Sequence, residues 1–291
     1  MFYNCGSNRE LKTEKTMEQL KVTYIYHSSF LVETKKAYFL FDYYKGKVPH
    51  LDPDKPLVVL ASHRHQDHYD PAIWNFRRMH PHVTYIISDD IPFDDRHRNA
   101  LGLSDIKKVF QNASSGQDEP EVFRSSKTAG ESTVFITPSD NKYRITLPNE
   151  TELLAETFRS TDEGVAFFIT YEGITLYHAG DLHLWLWDER GGDVYKRLMS
   201  NDFYDYTKKL RGRHVDAGFF LLDNRLKQNA FAGMDAYLDM MDVSYAFPMH
   251  MWEDYALTDK YLKARNDNPK SKVLQKINYE GEEFVLDIKK G

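Results

Sequence analysis

Four side chains able to bind a metal ion stand within six positions of one another: His63, His65, Asp67 and His68. They lie in residues 61–69, which read Ala-Ser-His-Arg-His-Gln-Asp-His-Tyr. Neutral imidazole and carboxylate are the donors of Zn, Mn and Fe centres. Alternate side chains of an extended segment point the same way, so His63 and His65 can share one ion. Asp67 and His68 lie past the bend and can reach a second. Histidine accounts for 12 of 291 residues, so a surface accident that also interposes an aspartate is the poorer explanation.

Such residues need elements to position them. Residues 22–26, 30–33 and 38–41 are short runs of β-branched and aromatic side chains split by polar turns, which predicts a β-meander. Residues 57–61 are continuously apolar, as in a strand buried on both faces. Asp70 as N-cap and Pro71 at the first helical position predict a helix through about Met79, and 84–87 a further strand. The polar stretch 89–131 predicts loops at 112–116 and 125–130. Strands are expected at 133–137, 143–147, 153–158, 165–170 and 175–177, then a helix over 194–210. Met234, Tyr237, Leu238 and Met241 recur at helical spacing between strands at 217–222 and 245–247. This order predicts an α+β chain with two sheets packed face to face and helices outside. Residues 1–19 read as a flexible leader and 20–291 as a single domain.

The balance of 38 basic and 44 acidic residues, net −6, counts against general nucleic-acid coating. The basic stretch 208–214 fits a helix C-terminus closed by Gly212 better than a nucleic-acid patch. A single cysteine, Cys5, excludes an intramolecular disulfide and suits a reducing compartment. The apolar runs are too short to span a bilayer and no signal-peptide pattern is visible, so a cytoplasmic location is expected. No phosphate loop, dinucleotide fingerprint or serine elbow occurs.

Residues 63–68 form an H-x-H-x-D-H signature, and with three other motifs the sequence resembles the metallo-β-lactamase-fold superfamily of hydrolases. Residues 26–30, Tyr-His-Ser-Ser-Phe, look like the family's opening strands. Residues 177–181, Tyr-His-Ala-Gly-Asp, are similar to the strand end whose aspartate bridges two metals. Residues 247–250, Phe-Pro-Met-His, look like the last ligand-bearing strand end. Within the superfamily these motifs look most like the L-ascorbate-6-phosphate lactonase-like branch. The resemblance implies an αββα sandwich and a dinuclear site for two divalent transition-metal ions, Zn, Mn or Fe. It implies that His63 and His65 hold the first ion, that Asp67, His68 and His250 hold the second, and that Asp181 bridges. Asp67 would also be catalytic, orienting the nucleophile or receiving its proton. One departure stands out: the family's further histidine on the first ion has no counterpart in 158–164, Phe-Arg-Ser-Thr-Asp-Glu-Gly. Asp162 is the best substitute, with Thr161 and Glu163 weaker. A carboxylate there shifts preference toward Mn or Fe.

The reaction implied is hydrolysis by a metal-activated hydroxide, on a small ester, lactone or phosphodiester. The expected partner is a small-molecule substrate, and a homo-oligomer is compatible with the sequence. One alternative is an RNA-processing nuclease similar to tRNase Z; the acidic balance and the lack of an RNA-binding arm count against it. Another is a non-hydrolytic di-iron redox or sensor protein. Flavodiiron relatives usually carry a glutamate where His65 stands and a fused flavodoxin domain, and neither is present. Arg64 is read as a solvent-facing side chain before a candidate to hold a substrate phosphate, and Trp185, Trp187 and Trp252 as core residues before candidate cleft walls. His27 and His178 are read as supporting residues, His183 as a loop residue, and His80, His82 and His97 as surface.

Overall fold

The sequence's short apolar runs become strands of two mixed sheets in the computed structural model, which describes residues 17–111, 119–189 and 191–289. The first sheet opens with the antiparallel strands β1 (Met17–Tyr26), β2 (Ser29–Glu33) and β3 (Tyr38–Phe41). Strands β4 (Leu57–Ala61) and β5 (Val83–Ser88) follow in parallel. Next come β6 (Lys108–Gln111), β7 (Glu121–Arg124) and β8 (Thr133–Thr137), of which β6 and β8 join the first sheet. The second sheet contains β7, then β9 (Lys142–Thr146), β10 (Glu152–Arg159), β11 (Val165–Tyr171) and β12 (Ile174–His178). It is completed by the parallel strands β13 (His214–Leu221) and β14 (Asp242–Met249). A last strand, β15 (Glu283–Lys289), returns to pair with β1.

Strand alternation decides what each face buries. In β4, Val58 and Leu60 point between the sheets, while Leu57, Val59 and Ala61 point outward into a second cluster. Between the sheets, Phe30 and Phe41 meet Phe219 at 4.5 and 5.7 Å, and Phe39 meets Tyr171 at 5.1 Å. Each such aromatic contributes about 1.5–3 kcal/mol by leaving water. The first sheet's outer face is covered by Ile73, Trp74 and Phe76, from a 3-10 turn and the single-turn α1 (Phe76–Met79). A short α2 (Asp95–Ala100) follows on the same side of the chain order. The second sheet is covered by α3 (Gly192–Tyr206) and α4 (Ala232–Met240), with Tyr237 of α4 packed on Tyr177 and Phe220. The remaining helix is α5 (Ala256–Ala264). Helices thus lie outside two stacked sheets, as expected.

Two expectations change. Residues 17–19 belong to β1, because Met17–Thr23 pair in register with β15, a half-buried edge strand with weak apolar alternation; residues 1–16 lie outside those described. The predicted helix after Asp70 is a 3-10 turn followed by one α turn. Asp70 does cap it, accepting from the Ala72 N–H at 2.7 Å. The tighter winding superposes residues three apart, which brings Ile73 and Phe76 onto the sheet together. The loop expected at 112–116 falls outside the described residues.

Parallel neighbours finish on one rim. Phe41 sits beside Leu60, and His178, Phe219 and Phe247 lie abreast. The residues just past those strand ends, Asp42, His63, Asp181, Asp223 and His250, therefore emerge on that side, the location at which parallel sheets carry ligand sites. The β10–β11 turn closes against them. Gly164 adopts φ +66°, and a Cβ there would lie 2.0 Å from Ser62 O and 2.5 Å from His63 Cβ. Gly164→Ala should destabilise the protein by about 2–5 kcal/mol, from left-handed strain plus overpacking. Gly102→Ala, with φ +65° and open space around it, should cost only the backbone penalty, about 1–2 kcal/mol. Urea unfolding of the two variants checks this; equal losses would show that close approach to the His63 loop is unimportant.

Candidate metal centre

Asp42 follows β3 with a left-handed backbone, φ +43°, and is fully buried. Its Oδ1 accepts the Ser62 backbone N–H at 2.7 Å; Oδ2 accepts the Ser62 hydroxyl at 2.6 Å and His68 Nδ1 at 2.7 Å. An ionised carboxylate only accepts, so both partners donate. Ser62 Oγ, having given its proton to Asp42, accepts in turn from His63 Nδ1 at 2.9 Å. His63 and His68 therefore carry a proton on Nδ1 and turn Nε2 toward the site. His250 repeats the pattern, donating from Nδ1 to Asp223 Oδ2 at 2.9 Å. Burial alone would raise the Asp42 carboxyl; the facing His178 and His68 rings outweigh it and hold it below its ordinary value.

The inward atoms converge on two carboxylates. Asp181 Oδ1 lies 3.1 Å from His68 Nε2 and 3.7 Å from His250 Nε2, while its Oδ2 is 3.7 Å from His63 Nε2. Asp67 Oδ2 lies 3.3 Å from His250 Nε2, 3.5 Å from His27 Nε2 and 4.0 Å from His68 Nε2. His65 Nδ1 is 3.1 Å from His63 Nε2 and 3.9 Å from Asp162 Oδ2. Three sets offer ligand atoms within 4.8 Å of one another: His63, His68 and Asp181; His27, Asp67 and His250; His65, Asp162 and Asp181.

Nε2 of His27, His68 and His250, together with Asp181 Oδ1, are buried and make no hydrogen bond. Each orphaned polar atom costs about 1–3 kcal/mol, yet here all face the same two carboxylates. A divalent cation would satisfy them together, and the imidazole–carboxylate set fits Zn, Mn or Fe. The protonation pattern agrees. Burial pushes His63 down to about 3 and His27 down to about 4, which keeps both neutral. Burial would raise Asp67 and Asp181, but the surrounding imidazoles outweigh it and hold both well below the carboxylate range. His68 and His250 are raised, because the Asp181 charge overcomes their burial. Asp162 is raised by burial and then by Asp181, a like-charge conflict that a cation between them would relieve.

All seven residues singled out as ligands reach this rim, but their grouping differs from the expectation. His68 stands nearer to Asp181 than to Asp67, and His27 takes the place beside Asp67 and His250. His27, assigned only support from the sequence, occupies a tight β1–β2 turn at φ +53°, where glycine is the usual residue. That mismatch is the signal that could have found it. Asp42 and Asp223 were not singled out; each follows an apolar strand directly, the same context as Asp181.

The other histidines separate by their partners. Both His178 nitrogens are engaged: Nε2 donates to Ser28 O at 2.9 Å, and Nδ1 accepts the Gly180 N–H at 3.1 Å, bracing the turn that carries Asp181. His183 is buried against Gly233 and does not line the cavity. His80 is buried, not superficial, between the carbonyls of His82 and Asp52. A cavity of about 790 Å³ opens over His65, Asp67, Asp162, Asp181 and His250, and Trp185, Trp187 and Trp252 do wall it. Arg64 is excluded from its lining: the side chain is exposed and its guanidinium donates to Glu163 at 2.8 Å.

Two outcomes follow from this network. Asp42→Asn places a donor against a donor at Ser62 or His68, so Zn or Mn affinity should fall about 10–100-fold; chelator competition measures it, and native affinity would dismiss Asp42 as the orienting group. Metal uptake should also release protons, since His68 and His250 hold theirs above the ordinary histidine range until an ion displaces them. Affinity should therefore weaken as pH falls. Calorimetry in buffers of different ionisation enthalpy reads the proton count; no buffer dependence near neutral pH would refute it.

Residues 21–192 match the family model described as the beta-lactamase superfamily domain. No curated protein matches the chain in sequence. Among solved structures it is similar to Igni18, a metallo hydrolase from the hyperthermophilic archaeon Ignicoccus hospitalis KIN4/I, at 12% identity and TM-score 0.54, over 93% of this chain and 99% of that one. It is also similar to CmlA, a diiron beta-hydroxylase from Streptomyces venezuelae, at 11% identity and TM-score 0.53, over 93% of this chain but 54% of CmlA. At these identities the likeness is one of fold. The family match is broader in kind, because it takes in more than half of the sequence, including His27, the 63–68 loop, Asp162 and Asp181. On that ground this chain belongs to the beta-lactamase superfamily domain family.

Proposed function

We propose that the chain is a metal-dependent hydrolase with a dinuclear centre, acting on a small ester, lactone or phosphodiester. The observation that carries this reading is the set of orphaned buried donors facing Asp67 and Asp181 beneath an open cavity. His63, His68 and Asp181, with His65 and Asp162 beside them, would hold one divalent ion, and His27, Asp67 and His250 the other. Bound Zn, Mn or Fe would supply Lewis acidity and water ionised near neutral pH. Asp67 stays ionised and lines the cavity, so its carboxylate accepts a hydrogen bond from the attacking water and orients it. The tryptophan walls exclude bulk water and take the apolar part of the substrate.

A cavity of about 790 Å³ is of small-molecule size, which with the net charge of −6 favours a compact substrate over folded RNA. Sugar lactones head the candidates, because the residue 26–30 and 177–181 motifs resemble the lactonase-like branch. With one cysteine in the sequence, we place the protein in the cytoplasm. A di-iron oxidation is the second reading, favoured by the carboxylate of Asp162 beside His65, an oxygen donor suited to iron.

Protein purified without chelator should contain nearer two than one equivalents of transition metal. It should turn over members of a panel of sugar lactones, aryl esters and bis(p-nitrophenyl) phosphate. Asp67→Ala should lower that turnover about 10²–10⁴-fold with unchanged circular dichroism. Full loading with no turnover of any panel member, or oxygen consumption by the iron form alone, would overturn the hydrolase. Cleavage of precursor tRNA that collapses with salt would transfer the reading to a nuclease.

A further inference from the structure

Arg225 follows β13 and is the only lysine or arginine among the described residues lining the cavity. Its Nε and Nη2 fork onto Asp223 Oδ2 at 2.9 and 2.6 Å, and Nη2 is 3.4 Å from His250 Nδ1. Nη1 makes no hydrogen bond among the described residues, and 43% of the side chain is exposed. The guanidinium carbon lies 4.7 Å from the Trp252 ring centroid and 5.6 Å from that of Trp187, which itself stacks on Trp185 at 5.9 Å. The cation is thus clamped on one edge by Asp223 and framed by two aromatic faces, in a residue that lines the cavity.

The backbone marks the same place. Trp252 holds φ +52° while nearly half exposed. A bulky residue in the left-handed region costs of order 1–3 kcal/mol and clusters where function requires it. Nδ1 and Nε2 are opposite sides of one imidazole. Arg225, at Nδ1 of His250, therefore stands one ring's width from the Nε2 that faces Asp67 and Asp181.

We infer that Arg225 is the specificity-determining residue of the cavity, selecting substrates that carry a carboxylate across a flat ring from the bond to be broken. This rests on the hydrolase reading above. The ring lies against Trp187 and Trp252, and the carboxylate accepts from Nη1. Asp223 already neutralises half of the cation, and Asp67, Asp162 and Asp181 line the same cavity, so a single negative charge fits better than a dianion.

The test uses the metal-loaded protein with phenyl acetate and 4-acetoxybenzoate, which differ only by the far carboxylate. Arg225→Gln should raise KM for 4-acetoxybenzoate about 10–100-fold, the loss of one charged hydrogen bond, and leave its kcat and the phenyl acetate KM nearly unchanged. Arg225→Lys should recover part of the loss. Equal effects on both esters, or a parallel fall in bound metal, would show that Arg225 acts only through Asp223 and His250 and would overturn the proposal. A second arm needs no turnover: benzoate and benzamide are titrated against the same proteins by tryptophan fluorescence. Tighter binding of benzoate, abolished in Arg225→Gln, supports the anchor even if neither ester is hydrolysed, in which case the hydrolase reading alone fails. No preference for benzoate in the unaltered protein overturns the anchor even if both esters are hydrolysed.

Discussion

One buried carboxylate, Asp42, disciplines the rim. It draws together the end of β3 and the loop after β4. Burying a charge is costly unless every lone pair finds a donor, and Ser62 and His68 supply those donors. The consequence reaches beyond stability. Because Asp42 can only accept, the proton positions on Ser62, His63 and His68 are decided by one group, and both imidazoles present the same nitrogen inward. Asp223 does this for His250 from the far side. The inward nitrogens are therefore aimed by two carboxylates that lie outside the candidate donor sets themselves.

Strain collects on the same rim. His27, Asp42, His250 and Trp252 all hold positive φ, and Gly180, like Gly164, packs so closely on Ser62 that a Cβ would meet its side chain at 2.8 Å. Such conformations persist only where the surroundings over-determine them. Here the surroundings are two sheets whose apolar faces interlock through Phe30, Phe41, Phe219 and Phe247. Core packing thus sustains an arrangement of buried charges that would otherwise be unfavourable, and the loops contribute little of that stability themselves.

What could be read from the sequence follows from range. The His63–His68 cluster is a local pattern, so it stood out, as did the strand order and the sandwich it implies; Asp181 and His250 were legible only through the motifs that resemble the superfamily. His27, Asp42 and Asp223 did not stand out, because their roles depend on partners 26 to 40 positions away or more: His68 for Asp42, Asp67 for His27, His250 for Asp223. The β1–β15 pairing is longer still, joining Met17 to Lys289. Arg64 is adjacent to the histidines, yet its side chain turns outward to Glu163, in keeping with the solvent-facing reading of the sequence. Arg225 drew no attention because nothing in the sequence around it reports the tryptophans that frame it.

The family match and the cavity divide the molecule along a telling line. Residues 21–192 contain nearly all the candidate ligands and their supporting groups, from His27 through Asp181. Arg225 and Trp252, which form the open wall, lie beyond that span, together with α3, whose Tyr195 and Met199 line the cavity's other side. His250 is the exception that joins the two parts: Nε2 faces Asp67 and Asp181, while Nδ1 is held by Asp223, which also grips Arg225. One carboxylate therefore positions both the inward-facing imidazole and the cavity's cation, so Asp223 joins the later sequence to the donor set of the earlier one.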